Sequence, residues 1–294
     1  MLNVKSFNIE PSTLNPESST FKPMVTFPNC KINLGLNVLQ KRKDGYHDIE
    51  TVFFPIPFTD ILEIVSSENE TELTNTGIYV HENENNLCLK AFHLLKKGFP
   101  QLPEIKIHLH KIIPVGAGLG GGSADGAFTL SLLNEKYNLN ILEQKLFLYA
   151  SMLGSDCPFF LLNNPCFATG RGEKMEAINL SLSGYKILLI NPGIHVNTKE
   201  TFQQITPGIP LKRIREIIDQ PIETWKNDLI NDFEKIVFSK HHEIKKIKEN
   251  LYNHHAVYAS MTGTGSTVFG IFNKNEEIKY PVKKEYFYKW IETL

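Results

Sequence analysis

The sequence predicts an α+β protein built from two domains. Short strand-like and helix-like stretches alternate without the regular βαβ cadence that a doubly wound parallel sheet requires. A glycine-rich loop joins an alternating segment, Ile105 to Ile113, to an apolar-periodic one, Ala124 to Leu133. A chain of 294 residues, 41% of them hydrophobic, can bury more than one core. A boundary is expected near residue 182, separating a first domain, 24–181, from a second, 182–294, with 1–23 as a loose tail rich in Ser, Thr, Asn and Pro.

Along the first domain, Val25 to Leu39 alternates as a strand around the polar trio Asn29, Lys31 and Asn33 and ends at the turn cluster Lys43-Asp44-Gly45. Glu50 to Pro55 reads as a second strand and Ile61 to Val65 as a third. Leu87, Ala91, Leu94 and Leu95 recur at helical spacing within Asn85 to Gly98. Past the glycine loop, Leu142 to Leu153 is a further helix. In the second domain, Tyr185 to Ile190 is a buried-type strand, followed by two or three amphipathic helices up to Asn250. Ala256 to Phe272 then reads as strand, glycine turn and strand around Met261 to Ser266.

Composition excludes several function classes. Lysine plus arginine number 31 against 32 acids, so no basic field draws the chain to nucleic acid or anionic lipid. No apolar run approaches the roughly 18 residues that span a bilayer, and the start lacks a basic segment followed by a signal-type apolar stretch. Cys30, Cys88, Cys157 and Cys166 form no CxxC pair, which fits a reduced, cytoplasmic compartment. The histidines contain no HExxH, and the pairs His241-His242 and His254-His255 diverge on either a helix or a strand, so no protein metal site is expected. No obligate protein partner is evident; the partner expected is a small molecule.

The loop Pro114-Val115-Gly116-Ala117-Gly118-Leu119-Gly120-Gly121-Gly122-Ser123-Ala124 stands directly before a helix, where converging backbone N–H groups and the helix dipole suit a phosphate. Side chains would block close approach, and glycine in ordered backbone costs roughly 0.5–1 kcal/mol per position, so an ornamental run is expensive. Gly116, Gly118 and Gly121 also match GxGxxG, but the dinucleotide fold wants a strand soon after the helix, where Leu142 to Leu153 reads helical. A Walker A loop fails because no GK[ST] follows.

Pro114-x3-Gly118-Leu119-Gly120 followed by small residues resembles the phosphate loop of the superfamily of galactokinases, homoserine kinases, mevalonate kinases and phosphomevalonate kinases, the GHMP kinases. Its two other motifs are matched by Asn29-Cys30-Lys31-Ile32-Asn33-Leu34 and by Thr262-Gly263-Thr264-Gly265-Ser266, in the same order. Within the superfamily, Lys31 to Leu34, Asp44-Gly45-Tyr46-His47, Gly118 to Ser123 and Gly154-Ser155-Asp156-Cys157-Pro158-Phe159-Phe160 closely resemble the branch acting on 4-diphosphocytidyl-2-C-methyl-D-erythritol. The resemblance spans residues 24 to 272. It implies a left-handed βαβ unit in the first domain, a ferredoxin-like second domain and an active site in the cleft between them. The implied reaction is transfer of the ATP γ-phosphate to the 2-hydroxyl, giving the 2-phosphate and ADP, in the non-mevalonate route to isopentenyl diphosphate. Another GHMP kinase, or a nucleotide sensor without catalysis, is the competing expectation.

The resemblance makes Asp156 the catalytic aspartate, whereas its position before Pro158 also suits a helix N-cap. Lys31, flanked by Cys30 and Ile32, is either exposed on an edge strand or paired with Asp156, keeping it ionised. Asn33 lies on the same strand face and can bond substrate. By resemblance Tyr46 stacks on cytosine, His47 reads the base edge, Phe202 is the loosely aligned opposing aromatic, and Gly263, Thr264 and Gly265 lie on the substrate side. Many superfamily members carry two serines after Gly-Leu-Gly, one of them helping to hold Mg²⁺; Gly121 and Gly122 stand there in this chain, so Mg²⁺ is expected to arrive bound to ATP.

Overall fold

A computed structural model describes residues 24–80 and 85–293, so the expectation for the first 23 residues lies outside the described part. The first half carries strands β1 (Met24–Thr26), β2 (Asn29–Lys41), β3 (His47–Thr59), β4 (Ile61–Ser67), β5 (Glu72–Gly77) and β6 (Glu104–Lys111). With them come helices α1 (Leu87–Gly98), α2 (Gly121–Lys136), α3 (Glu143–Leu153) and α4 (Cys157–Leu162), then strands β7 (Cys166–Gly170) and β8 (Lys174–Ala177). Two four-stranded sheets result, in the orders β1-β4-β6-β5 and β2-β3-β7-β8. The segment Val25 to Leu39, read as one strand, is two strands in different sheets: β1 pairs with β4 and β2 with β3. Pro28 explains the break, since it has no N–H for a ladder and restricts the residue before it.

Among the described strands only β5 and β6 pair in parallel, and α1 lies between them in the chain, forming a βαβ unit. Asn86 starts α1 by accepting the Cys88 N–H, as a capping side chain should. One core fills the space between β4, β6 and the helices, with Ile64, Ile107, Phe92, Leu95, Ala127 and Phe159 among its members.

The second half carries β9 (Tyr185–Asn191), α5 (Thr198–Gln204), α6 (Ile214–Ile218), α7 (Trp225–Asp228), α8 (Phe233–Lys240), α9 (His242–Asn253), β10 (Tyr258–Met261), β11 (Val268–Asn273) and β12 (Phe287–Glu292). Its antiparallel sheet runs β10-β11-β9-β12, the ferredoxin-like strand order, with an irregular stretch between β11 and β12 in place of a second crossover helix. Cys30, Ile32 and Leu34 of β2 pack with Ile187, Leu189 and Phe269 of this sheet in one core. Strand alternation therefore turns Lys31 and Asn33 to the opposite face, toward the glycine loop.

Beneath that loop lies a buried charge cluster. Lys111 donates to Asp60 at 2.5 Å and to Asp125 at 2.7 Å, with all three side chains almost fully buried. Asp60 also accepts the backbone N–H groups of Ile112 and Ile113 at 2.6 and 2.8 Å, which ties the loop's entry to the β3–β4 corner. One cation cannot neutralise two carboxylates. Burial pushes Asp125 up to about 7, and its second oxygen has no partner. Burial works against the Lys111 charge, but Asp125 and Asp60 more than offset it, so the ammonium is held above the ordinary lysine range.

Replacing Lys111 with Met should leave two buried carboxylates uncompensated and cost about 3–5 kcal/mol. Asp125, already raised by burial, would be raised further above its unfolded value, so the lost stability grows as pH rises and shrinks as pH falls toward the unfolded value near 4. Denaturant unfolding of both proteins at pH 5 and pH 8 checks this; an equal gap at the two pH values would refute it.

Candidate active site

Three segments remote in sequence meet at Lys31. Its ammonium, on a side chain only 4% exposed, donates to Asn33 Oδ1 at 2.6 Å and to the Gly118 carbonyl at 3.1 Å, and lies 3.6 Å from Asp156 Oδ2. It also sits 5.2 Å above the Phe53 ring. Burial lowers the Lys31 pKa and the Asp156 charge works against that lowering. β2 is an edge strand, yet the ammonium is not exposed, because the glycine loop seals the edge through a bond from Lys31 N to Leu119 O at 2.9 Å. Asp156 stands at the N-cap position of α4 but its carboxylate caps no N–H, so its side chain, 35% exposed, is left facing Lys31.

The glycine loop bends over β2 on three fixed points. The Ala117 and Leu119 side chains are buried in the core shared with β2 and β9. At Gly118, φ is +79° and an added Cβ would come within 2.2 Å of the Thr262 carbonyl, so only glycine allows the loop and the third motif to touch. At Gly120, φ is +73° and a Cβ would press on Phe160 at 2.9 Å and on the Lys31 stem at 3.2 Å. α2 begins at Gly121, and the first N–H groups of a helix have no intrahelical partner. Those of Gly121, Gly122 and Ser123 are such groups, and an added Cβ at Gly122 would meet nothing within 4 Å. The donors and the space fit a phosphate chain. Pro114, Val115 and Gly116 form the approach to the loop, while Ala124 is buried inside α2, turned away from that space. Ser123 bonds Cys157, whose thiol burial pushes up to about 12, so it is inert as a nucleophile.

The third motif is locked from both sides. The Thr262 hydroxyl accepts the Asn33 N–H at 3.0 Å and reaches the Gly118 carbonyl at 3.1 Å. Asn231 donates to the carbonyls of Met261 and Gly263 at 2.7 and 2.8 Å. Gly263 and Gly265 shape this turn, with φ of +58° and +93°, while the Thr264 hydroxyl bonds Thr198 at the start of α5, outside the Lys31 cluster.

At the other end of β3 is an aromatic pair. His47, buried and at 5.4 Å from Phe202, has its pKa lowered by burial and then by Lys41, so its ring is neutral at pH 7. Phe202 also packs edge-on against Phe233 at 4.6 Å, which makes it part of the core as well as a wall. Tyr46 is 54% exposed beside them, its N–H held by Asp44 at 3.1 Å.

Residues 86–164 match the family model described as GHMP kinases N terminal domain, and residues 211–289 match GHMP kinases C terminal. The chain belongs to the GHMP kinase family. A Bacteroides fragilis protein named 4-diphosphocytidyl-2-C-methyl-D-erythritol kinase is 51% identical over 259 residues, which cover 87% of this chain and 94% of that one. A crystal structure of 4-(cytidine 5'-diphospho)-2C-methyl-D-erythritol kinase superposes with a TM-score of 0.72 at 31% identity, covering 84% of this chain and 89% of that chain. Methanococcus jannaschii mevalonate kinase, with a TM-score of 0.63 over 92% of this chain and 98% of its own at 15% identity, shares the fold.

In this GHMP kinase, three residues escaped the sequence reading. Thr262 enters the sequence reading only as part of a motif, since a single hydroxyl gives no periodic signal. Asn231 and Lys111 act through tertiary partners alone. Among the described residues no three His, Cys, Asp or Glu side chains cluster as a metal cage, and no helix is long and apolar enough to cross a membrane.

Thr262→Val keeps the shape and deletes the hydroxyl, leaving the buried Asn33 N–H unpaired at about 1–3 kcal/mol, while the Gly118 carbonyl keeps its bond from Lys31. We expect a matching drop in unfolding free energy and a raised KM for ATP, with Thr262→Ser close to wild type. An unaltered midpoint in the valine variant would show that the hydroxyl does not hold the loops together.

Proposed function

We infer that the protein transfers the γ-phosphate of ATP to the 2-hydroxyl of 4-diphosphocytidyl-2-C-methyl-D-erythritol, releasing ADP and the 2-phosphate, a step of the non-mevalonate route to isopentenyl diphosphate. The observation that carries this reading is one strand joining two chemistries. β3 bears His47 of the base-sized aromatic site at its start and Phe53, under the Lys31 ammonium, six residues on. At about 3.3 Å per residue that separation is roughly 20 Å, enough for a nucleoside diphosphate with its acceptor alcohol at the far end. Mevalonate, homoserine and galactose offer nothing for His47 and Tyr46 to read.

Phosphoryl transfer asks for positioning and charge rather than covalent chemistry. ATP, its phosphates on the N–H groups opening α2, would bring Mg²⁺ on those phosphates, since Mg²⁺ keeps waters and takes phosphate oxygens readily. Asp156 accepts the proton of the attacking hydroxyl. Lys31, already desolvated and held by Asn33 and Gly118, needs no reorganisation to balance charge developing on the oxygen. Tyr46 stacks on the cytosine, Phe202 closes the opposite side, and neutral His47 presents one ring donor and one acceptor to the base edge. Residues 24–181 carry the phosphate loop and residues from 182 onward the second domain. The four cysteines, all free and buried, suit the reducing cytoplasm.

The direct test offers Mg·ATP with the cytidylated substrate, mevalonate, homoserine and galactose, and follows ADP release. Turnover with the first alone is expected; equal turnover of mevalonate would overturn the reading. Asp156→Asn should lower kcat by roughly 10²–10⁴ with an unchanged melting temperature, since the carboxylate caps nothing. A variant of normal activity would remove Asp156 from the chemistry.

A further inference from the structure

At the base end of β3, the β7–β8 turn places one arginine. Gly170, the last residue of β7, pairs with Ile49 of β3, two residues from His47. The next residue, Arg171, lays its guanidinium on the Tyr46 ring, 4.6 Å from the centroid. Gly172 then packs against Phe53, where an added Cβ would stand 3.4 Å from the ring. The turn thus bridges the aromatic site and the floor under Lys31.

Arg171 is unpaired among the described residues, although carboxylates are close. Asp44 and Asp48 are both taken by Arg42, at 2.9 and 3.0 Å. Arg42 is the main reason the Asp44 carboxyl is held below the usual range, with a smaller contribution from the Arg171 charge, whereas at Asp48 the Gln40 amide contributes most and Arg42 next. Glu173 is engaged with the Arg171 backbone N–H at 2.5 Å rather than with its side chain. A half-buried guanidinium with its neighbouring anions committed elsewhere retains N–H donors for two oxygens of a phosphate. Stacking on Tyr46 restricts its rotamers, so less entropy is lost when it binds.

We propose that Arg171 is a substrate-recognition residue that pairs with the diphosphate of the cytidylated substrate, while Tyr46 carries the base. The inference rests on the function proposed above. The turn that carries Arg171 continues from the Ile49–Gly170 pair toward His47, so it stands within about 7 Å of His47 along β3, the distance at which a nucleotide's phosphates begin if its base lies against Tyr46 and His47. Arginine suits this position better than lysine because its fork bonds two oxygens at once and its plane can lie on an aromatic ring.

Titration calorimetry with cytidine and with cytidine diphosphate, on wild type, Arg171→Gln and Arg171→Lys, separates the possibilities. Wild type should prefer the diphosphate by roughly 10- to 100-fold, a preference reduced by added salt. Arg171→Gln should lose most of that preference while still binding cytidine, and Arg171→Lys should fall between them. Equal weakening for both ligands in Arg171→Gln would make Arg171 a packing support for Tyr46 and overturn the proposal. An undiminished diphosphate preference in Arg171→Gln would overturn it as well. Absence of binding to either ligand by wild type would instead strike the cytidine reading itself, and the Arg171 role would fall with it.

Discussion

A lysine ammonium withdrawn from water has to be surrounded by oxygen, and that requirement at Lys31 determines how the rest of the site is assembled. β2 supplies Asn33 Oδ1, the glycine loop supplies the Gly118 carbonyl, and the turn before α4 supplies Asp156. The loop cannot deliver its carbonyl unless Gly118 lies against Thr262, and Thr262 cannot stand there unless Asn231 holds the carbonyls on either side of it. Five segments from both halves of the chain therefore share one electrostatic demand. The close approach of backbone to backbone at Gly118 is what permits it.

Two buried lysines show how the surroundings decide the role. Lys111 faces two carboxylates in a closed cluster, and the second anion outweighs desolvation. At about 4 Å and an effective dielectric near 20, an added unit charge is worth roughly 4 kcal/mol, comparable with the loss of water around one ammonium. Lys31 has a single carboxylate, at a looser 3.6 Å, and two neutral oxygens, so desolvation prevails and its charge is held less firmly. The tight cluster braces the loop from below. The loose one leaves Asp156 an exposed side on which a hydroxyl can be received.

Local pattern made much of this legible before any coordinates. The alternation around Lys31, the loop glycines and the apolar spacing of α1 and α3 each report a backbone state directly, and the structure has a strand, a glycine loop and two helices at those places. Pairing is different. The change of sheet at Pro28 and the short strands β5, β7, β8 and β12 depend on partners far along the chain, and alternation over four to six residues is too brief to mark them. The same limit applies to the site: Thr262, Asn231 and Arg171 owe their meaning to what they touch, and a lone threonine, asparagine or arginine in a turn looks like any other surface residue.

The length of β3 is the link between the two ends of the site. Seven of its thirteen residues, His47 to Phe53, run from the aromatic site to the hydroxyl site; its neighbour β2 contributes the lysine at a fixed register and its neighbour β7 leads into the turn that carries the arginine. Because the register of a sheet changes only in whole residues, a slip of one would turn His47 and Phe53 to the opposite face. On the function proposed above, the distance between base recognition and phosphoryl transfer is set by backbone hydrogen bonds, not by side-chain rotamers. A molecule with the right alcohol but no nucleotide would meet the second site without being positioned by the first. Selectivity then follows from geometry built into the sheet, and the loops need only complete it.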